Sequence, residues 1–82
     1  ADVPKGAYTI QAASVKNKPD ADRLVNKLIR RGYPAYLLTS RIEGKGTWHR
    51  VRIGAYPTSD AAKPVLAELR RAGMKPILVK TK

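Results

Sequence analysis

Trp48, Arg50 and Arg52 stand at alternate positions of the stretch Thr47-Trp48-His49-Arg50-Val51-Arg52-Ile53-Gly54. In an extended chain successive side chains point to opposite faces, so these three share one face with Gly54, while His49, Val51 and Ile53 share the other. The second set suits a core. The first is an indole beside two guanidinium groups, a costly combination to leave idle on an open surface. An indole offers a flat apolar platform for a base or for the hydrophobic face of a sugar ring. A guanidinium next to it is a fork of donors for anionic or hydroxyl oxygens. Gln11, in the middle of another candidate strand, adds an amide whose two donors and one acceptor suit hydroxyl and acetamido groups.

Other chemistries find no support. His49 is the only histidine, and alternation places it on the core face, where a structural role is expected. The carboxylates are scattered over loops and helix starts, with no convergent pair for acid–base work. Ser14, Ser40 and Ser59 have no histidine placed to activate them. Gly44-Lys45-Gly46 is too short for a phosphate-binding loop. The chain has no cysteine, which removes disulfides and thiolate metal sites, and no cluster has metal-ligand spacing. The chain therefore reads as non-enzymatic, without cofactor or metal.

The 82 residues make one domain with a modest core. Seventeen Lys and Arg against six Asp and Glu give a formal charge of +11, a balance that favours polyanions such as nucleic acid, anionic lipid surfaces or an acidic wall polymer. No apolar run approaches the ~20 residues of a membrane span, so insertion by this segment is not expected. Residues 1–6 read as a linker remnant, with any anchor or signal expected outside the segment.

The elements that must position these side chains come in two similar halves. At a constant offset of 41 residues, Tyr8-Thr9-Ile10-Gln11-Ala12-Ala13-Ser14-Val15 lies against His49-Arg50-Val51-Arg52-Ile53-Gly54-Ala55-Tyr56. Ala21 likewise meets Ala62, Leu28 meets Leu69, Gly32 meets Gly73 and Leu37 meets Leu78. We read one domain over residues 7–82 with pseudo-repeats at about 8–40 and 49–81. A strand over 7–13 is followed by a helix capped by Asn17, whose stripe Ala21, Leu24, Val25, Leu28, Ile29 has helical spacing and which ends at Gly32. Tyr36-Leu37-Leu38-Thr39-Ser40 is a second strand, joined through Glu43-Gly44-Lys45-Gly46, read as a long loop, to the Trp48 strand. A second helix, capped by Thr58, Ser59 or Asp60, carries Ala62, Val65, Leu66 and Leu69. Pro64 inside it predicts a late start near residue 61 or a 3₁₀ first turn. Pro76-Ile77-Leu78-Val79-Lys80 is the last strand.

This order predicts an α+β fold of the βαββαβ (ferredoxin/RNP-like) type, with a four-stranded antiparallel sheet in spatial order 4-1-3-2 and both helices on one face. The other face is bare. On it we expect Thr9, Gln11 and Ala13 from the first strand and Trp48, Arg50 and Arg52 from the third. Leu37 and Leu78 are expected there from the edge strands. Two binding classes compete for that face. RRM domains hold single-stranded RNA on such a sheet, but by aromatics at set positions of strands one and three. Here strand three lacks the Gly-aromatic-Gly-Phe pattern and strand one carries Gln11, so one platform and an amide fit a saccharide better. The charge keeps RNA as the alternative.

Tyr8-Thr9-Ile10-Gln11-Ala12-Ala13-Ser14, Trp48-His49-Arg50-Val51-Arg52-Ile53-Gly54 and the helix exits Gly32-Tyr33-Pro34 and Arg71-Ala72-Gly73 together resemble the SPOR (sporulation-related repeat) domain. The resemblance runs from about residue 7 to 80. It implies the βαββαβ fold and binding to peptidoglycan glycan strands, especially those stripped of stem peptides. It also implies a periplasmic place in the bacterial envelope, at the division septum, as the targeting module of a cell-division or cell-wall protein. The family's binding positions map onto Gln11, Ser14, Trp48, Arg50 and Leu78, with Thr9, Ala13 and Arg52 as secondary contacts. Ala13 stands where the family more often has Gly, and its methyl is expected to crowd a ligand on the strand. The module is expected to act as a monomer, with no nucleic-acid partner.

Overall fold

The computed structural model describes residues 6–81. The element order is β1 (Tyr8–Val15), α1 (Lys18–Arg30), β2 (Ala35–Ile42), β3 (Gly46–Tyr56), α2 (Ser59–Arg71) and β4 (Ile77–Lys80). Of the expected linker 1–6, residues 1–5 lie outside the described residues.

Both helices start and stop on local chemistry. Asn17 caps α1 by accepting from the Asp20 amide at 3.4 Å, and Thr58 caps α2 by accepting from the Ala61 amide at 3.2 Å. At the α1 exit the Tyr33 amide donates to the Leu28 carbonyl and the Gly32 amide to that of Ile29, each at 3.0 Å. At the α2 exit Met74 donates to Leu69 and Gly73 to Arg70 in the same pattern. This is the Schellman arrangement, and it requires the left-handed φ of +93° at Gly32 and +86° at Gly73. Pro64 neither delays the start of α2 nor tightens its first turn: it lies within a regular helix. The donor it lacks would have met the Asp60 carbonyl, and both residues are exposed, which leaves the freed oxygen open to hydration.

The sheet is antiparallel throughout in the order β2-β3-β1-β4. Ile10, Val51 and Ile53 from its central strands meet Ala21 and Leu28 of α1 and Ala62, Leu66 and Leu69 of α2 in one core. Full burial of each large aliphatic side chain here is worth roughly 1.5–3 kcal/mol, and this sets the sheet's orientation. Ile29, expected on the α1 stripe, is 51% exposed. The β2–β3 connection is tight, because Ile42 pairs with Gly46 and only Glu43, Gly44 and Lys45 intervene. Left-handed Gly44 and Gly46 (φ +77° and +82°) allow that short reversal in place of the long loop expected.

Two bulges interrupt the β1–β3 ladder and change which residues share a face. Between Gln11↔Arg52 and Ala13↔Val51 an extra residue is inserted in β1. Ala12 and Ala13 therefore both turn to the core side, and Ser14 comes opposite Arg50. Ala13 is thus not on the open face, and its methyl does not crowd that face. Between Tyr8↔Tyr56 and Ile10↔Ile53, Gly54 and Ala55 together oppose Thr9, and Gly54 adopts φ +64°.

The edge strands correct a further expectation. Leu37 pairs with Val51 and Leu78 with Ile10, both partners fully buried. Directly opposed residues share a face, so Leu37 and Leu78 point to the helices and pack against the core. The two leucines do share an orientation, as the repeat implied, but the core claims both. The open face of β4 instead carries Ile77 and Val79, opposite Gln11 and Thr9.

Candidate functional site

The open face is a set of rows running across the strands. Tyr36, Arg52, Gln11 and Ile77 are paired in sequence from β2 to β4 and form one continuous row. Leu38, Arg50 and Ser14 form the next, and Ser40 with Trp48 the third. Neighbours within a row are about 5 Å apart and rows are about 7 Å apart. The indole, both guanidiniums, the carboxamide and the hydroxyl thus lie on one side of the sheet, within reach of one extended ligand. Trp48, Arg50, Arg52 and Gln11 are half-buried and Ser14 is exposed. The described residues enclose no pocket, so the surface is open and shallow.

Thr9 does not join them. It is 2% exposed, and its hydroxyl lies 2.8 Å from the Gly54 carbonyl and 3.2 Å from that of Ile53. The one hydroxyl proton of Thr9 goes to those carbonyls, so the Tyr36 phenol, 2.9 Å away, donates to Thr9. Tyr36 thereby spans from β2 over β3 to β1 and borders the open face behind Arg52 and Gln11. Of the expected contacts, Gln11, Ser14, Trp48, Arg50 and Arg52 are brought together, whereas Thr9, Ala13 and Leu78 are withdrawn by burial, bulge and register.

The face also holds residues that sequence reasoning passed over. Ile77 is 55% exposed, an uncommon state for a large aliphatic side chain, and it stands beside Gln11 at the β4 edge. Tyr36 and Leu38 flank the two arginines from β2. The signal available was the alternation of Ile77 and Val79 against Leu78, but choosing between the two sets needs the edge-strand register.

Among the described residues no carboxylate pairs with the cations of this face. The ion pairs among the described residues, Lys18–Asp22 at 2.9 Å, Arg23–Asp20 and Lys63–Asp60 at 2.8 Å, all lie within the two helices. Hydrogen bonding and charge from Lys63 hold the Asp60 carboxyl below its usual range. Arg50 and Arg52 have no such partner there, and Arg52 Nε is buried without a hydrogen bond. The Lys16 ammonium lies 5.0 Å from the centroid of the Trp48 ring. His49 is 8% exposed on the opposite side, its Nδ1 3.1 Å from the Thr39 hydroxyl. Among the described residues no metal-ligating cluster forms and no helix is long and apolar enough to cross a membrane.

Fold and face together define a small α+β domain whose uncovered sheet presents an aromatic, cationic surface. The chain belongs to the SPOR domain family, whose model matches residues 4–80. Its fold is shared with the SPOR domain of RlpA from Pseudomonas aeruginosa, 24% identical, with a TM-score of 0.75 over 89% of this chain and 97% of that one. It is also shared with the peptidoglycan binding domain of the B. subtilis cell wall lytic enzyme CwlC, 26% identical, with a TM-score of 0.75 over 100% of this chain and 98% of that one. Among curated proteins no sequence match is found.

Proposed function

We propose that this chain is a non-catalytic peptidoglycan-binding module that uses the open face of its sheet and prefers glycan strands lacking stem peptides. The observation that carries this reading is the adjacency of Trp48, Arg50, Ser14 and Gln11 on a face whose cations form no ion pair among the described residues. The CwlC domain of the same fold, described as peptidoglycan binding, supports it.

One sugar ring stacks on Trp48. Arg50 and Ser14, paired across β3 and β1, hold carboxylate and N-acetyl oxygens. Gln11 bonds hydroxyl or acetamido groups one row further on, and Ile77 replaces Leu78 as the apolar end of the site. Arg52 is a secondary contact. Removing a stem peptide frees the lactyl carboxylate, an anion that Arg50 favours. An intact stem turns that carboxylate into an amide and adds bulk over a shallow surface. Binding is on the order of micromolar, with avidity supplied by the polymer. The module works as a monomer, residues 7–82 forming the binding unit, and directs its parent protein to the periplasmic wall at the division septum.

Co-sedimentation with purified sacculi before and after amidase treatment tests the preference. The pelleted fraction should rise after treatment, and no rise would remove the bare-strand preference. RNA binding by the same face would instead show a steep loss of affinity with salt.

A further inference from the structure

We propose that Lys16 is a specificity-determining cation of this face, one that makes the Trp48 platform select carboxylate-bearing glycans over uncharged ones. The inference rests on the glycan-binding reading and deepens it. Past the β1 bulge, Ser14 opposes Arg50 and Val15 opposes His49. One further step along that ladder brings Lys16, just beyond the strand end, opposite Trp48. Its ammonium lies 5.0 Å from the ring centroid, so the indole is already engaged by a cation in the free protein. Lys16 is exposed and takes part in none of the ion pairs formed by the described residues.

A cation over a half-buried ring at an open surface is held weakly, and a carboxylate competes well for it. A sugar that stacks on Trp48 and carries a carboxylate draws the ammonium from the ring into an ion pair, with Arg50 as the second cation. An uncharged sugar displaces the same ammonium and returns nothing to it. Discrimination thus arises at the platform itself, before Gln11 and Ile77 are reached.

The test uses Trp48, the only tryptophan in the chain, as its reporter. Lys16→Met keeps an apolar stem of similar length and removes the charge. Intrinsic fluorescence follows titration with amidase-treated glycan strands and, separately, with an uncharged chito-oligosaccharide of matched length. Lys16→Met should weaken binding of the carboxylated strands about three- to five-fold, the scale of one partly exposed charge pair. Affinity for the uncharged oligomer should stay the same or rise, and Lys16→Arg should restore the wild-type ratio. An equal change on both ligands, or no change on either, overturns the role of Lys16 while leaving the glycan reading intact. Failure of the wild-type protein to bind the carboxylated strands overturns that reading and the role of Lys16 with it.

Discussion

On the proposed reading Trp48 and Arg50 hold a ligand by different means, and each is separable from stability because neither belongs to the core. Replacing Trp48 with Ala should cost roughly 1–3 kcal/mol of glycan binding, by analogy with stacking on other rings. Far-ultraviolet circular dichroism and the urea midpoint should change little, and wild-type affinity in this variant would discard the site. The neighbouring pair Ile77 and Leu78 gives a sharper comparison. Ile77 lies on the open face and Leu78 against Ile10 under the helices. Ile77→Ala should therefore weaken sedimentation with sacculi while shifting stability by under about 0.5 kcal/mol. Leu78→Ala should lose stability, on the order of 2 kcal/mol, with binding per folded molecule retained. The reverse pattern would return Leu78 to the binding face.

At the scale of the element, the bulges decide what the site contains. The β1 bulge carries Ser14 to the side of Arg50, and the β3 bulge at Gly54 aligns Thr9 with two carbonyls that bind its hydroxyl. Gly54 is buried at φ +64°, and a Cβ there would come within 2.9 Å of the Tyr56 hydroxyl and 3.0 Å of its ring. A rigid ring on the same strand gives way poorly, so Gly54→Ala combines backbone strain with a steric clash. We expect a loss of about 1–3 kcal/mol in equilibrium urea unfolding, together with weaker glycan binding as the β3 bulge relaxes. A stability equal to wild type would show that the bulge tolerates a side chain.

For the whole molecule, charge and pH act through separate groups. Burial first, then the nearby Glu68 carboxylate and the Tyr33 phenol, push the Tyr56 phenol above its ordinary value of 10.0. A raised pKa means the folded state keeps its proton when the unfolded state has lost it. The associated stability is complete below about pH 10 and is lost as pH rises through the folded value. Tyr56→Phe should remove this loss, so the difference in urea midpoint between variant and wild type should move in favour of the variant above pH 10. A difference constant across pH 8–11 would contradict it. Among the described residues basic side chains stand on both helices as well as on β3, which is why the charge of +11 names polyanions without choosing one. Salt separates the classes: a stacked, hydrogen-bonded glycan should lose far less affinity between low and high salt than single-stranded RNA would.

Composition and periodicity by themselves determined the six elements, their order, the Asn17 cap, the paired glycine exits and the inner face of β3. Each of these follows from short-range rules that hold within a few residues. The place of Trp48, Arg50 and Gln11 on the open face was legible for the same reason, since each sits on a strand with unbroken alternation up to its own position. Tertiary structure alone decided the places of Ser14, Ala13, Thr9 and Leu78, and brought Ile77 beside Gln11 and Lys16 over Trp48. Alternation is a local count that one inserted residue resets. The face of an edge strand is set by hydrogen-bonded register with a partner distant in sequence. Parity did leave a trace, because the core takes Ile10 and then Val15 on β1, and Ile53 and then Tyr56 on β3. Only pairing β1 with β3 turns those breaks into the bulges that shape the site.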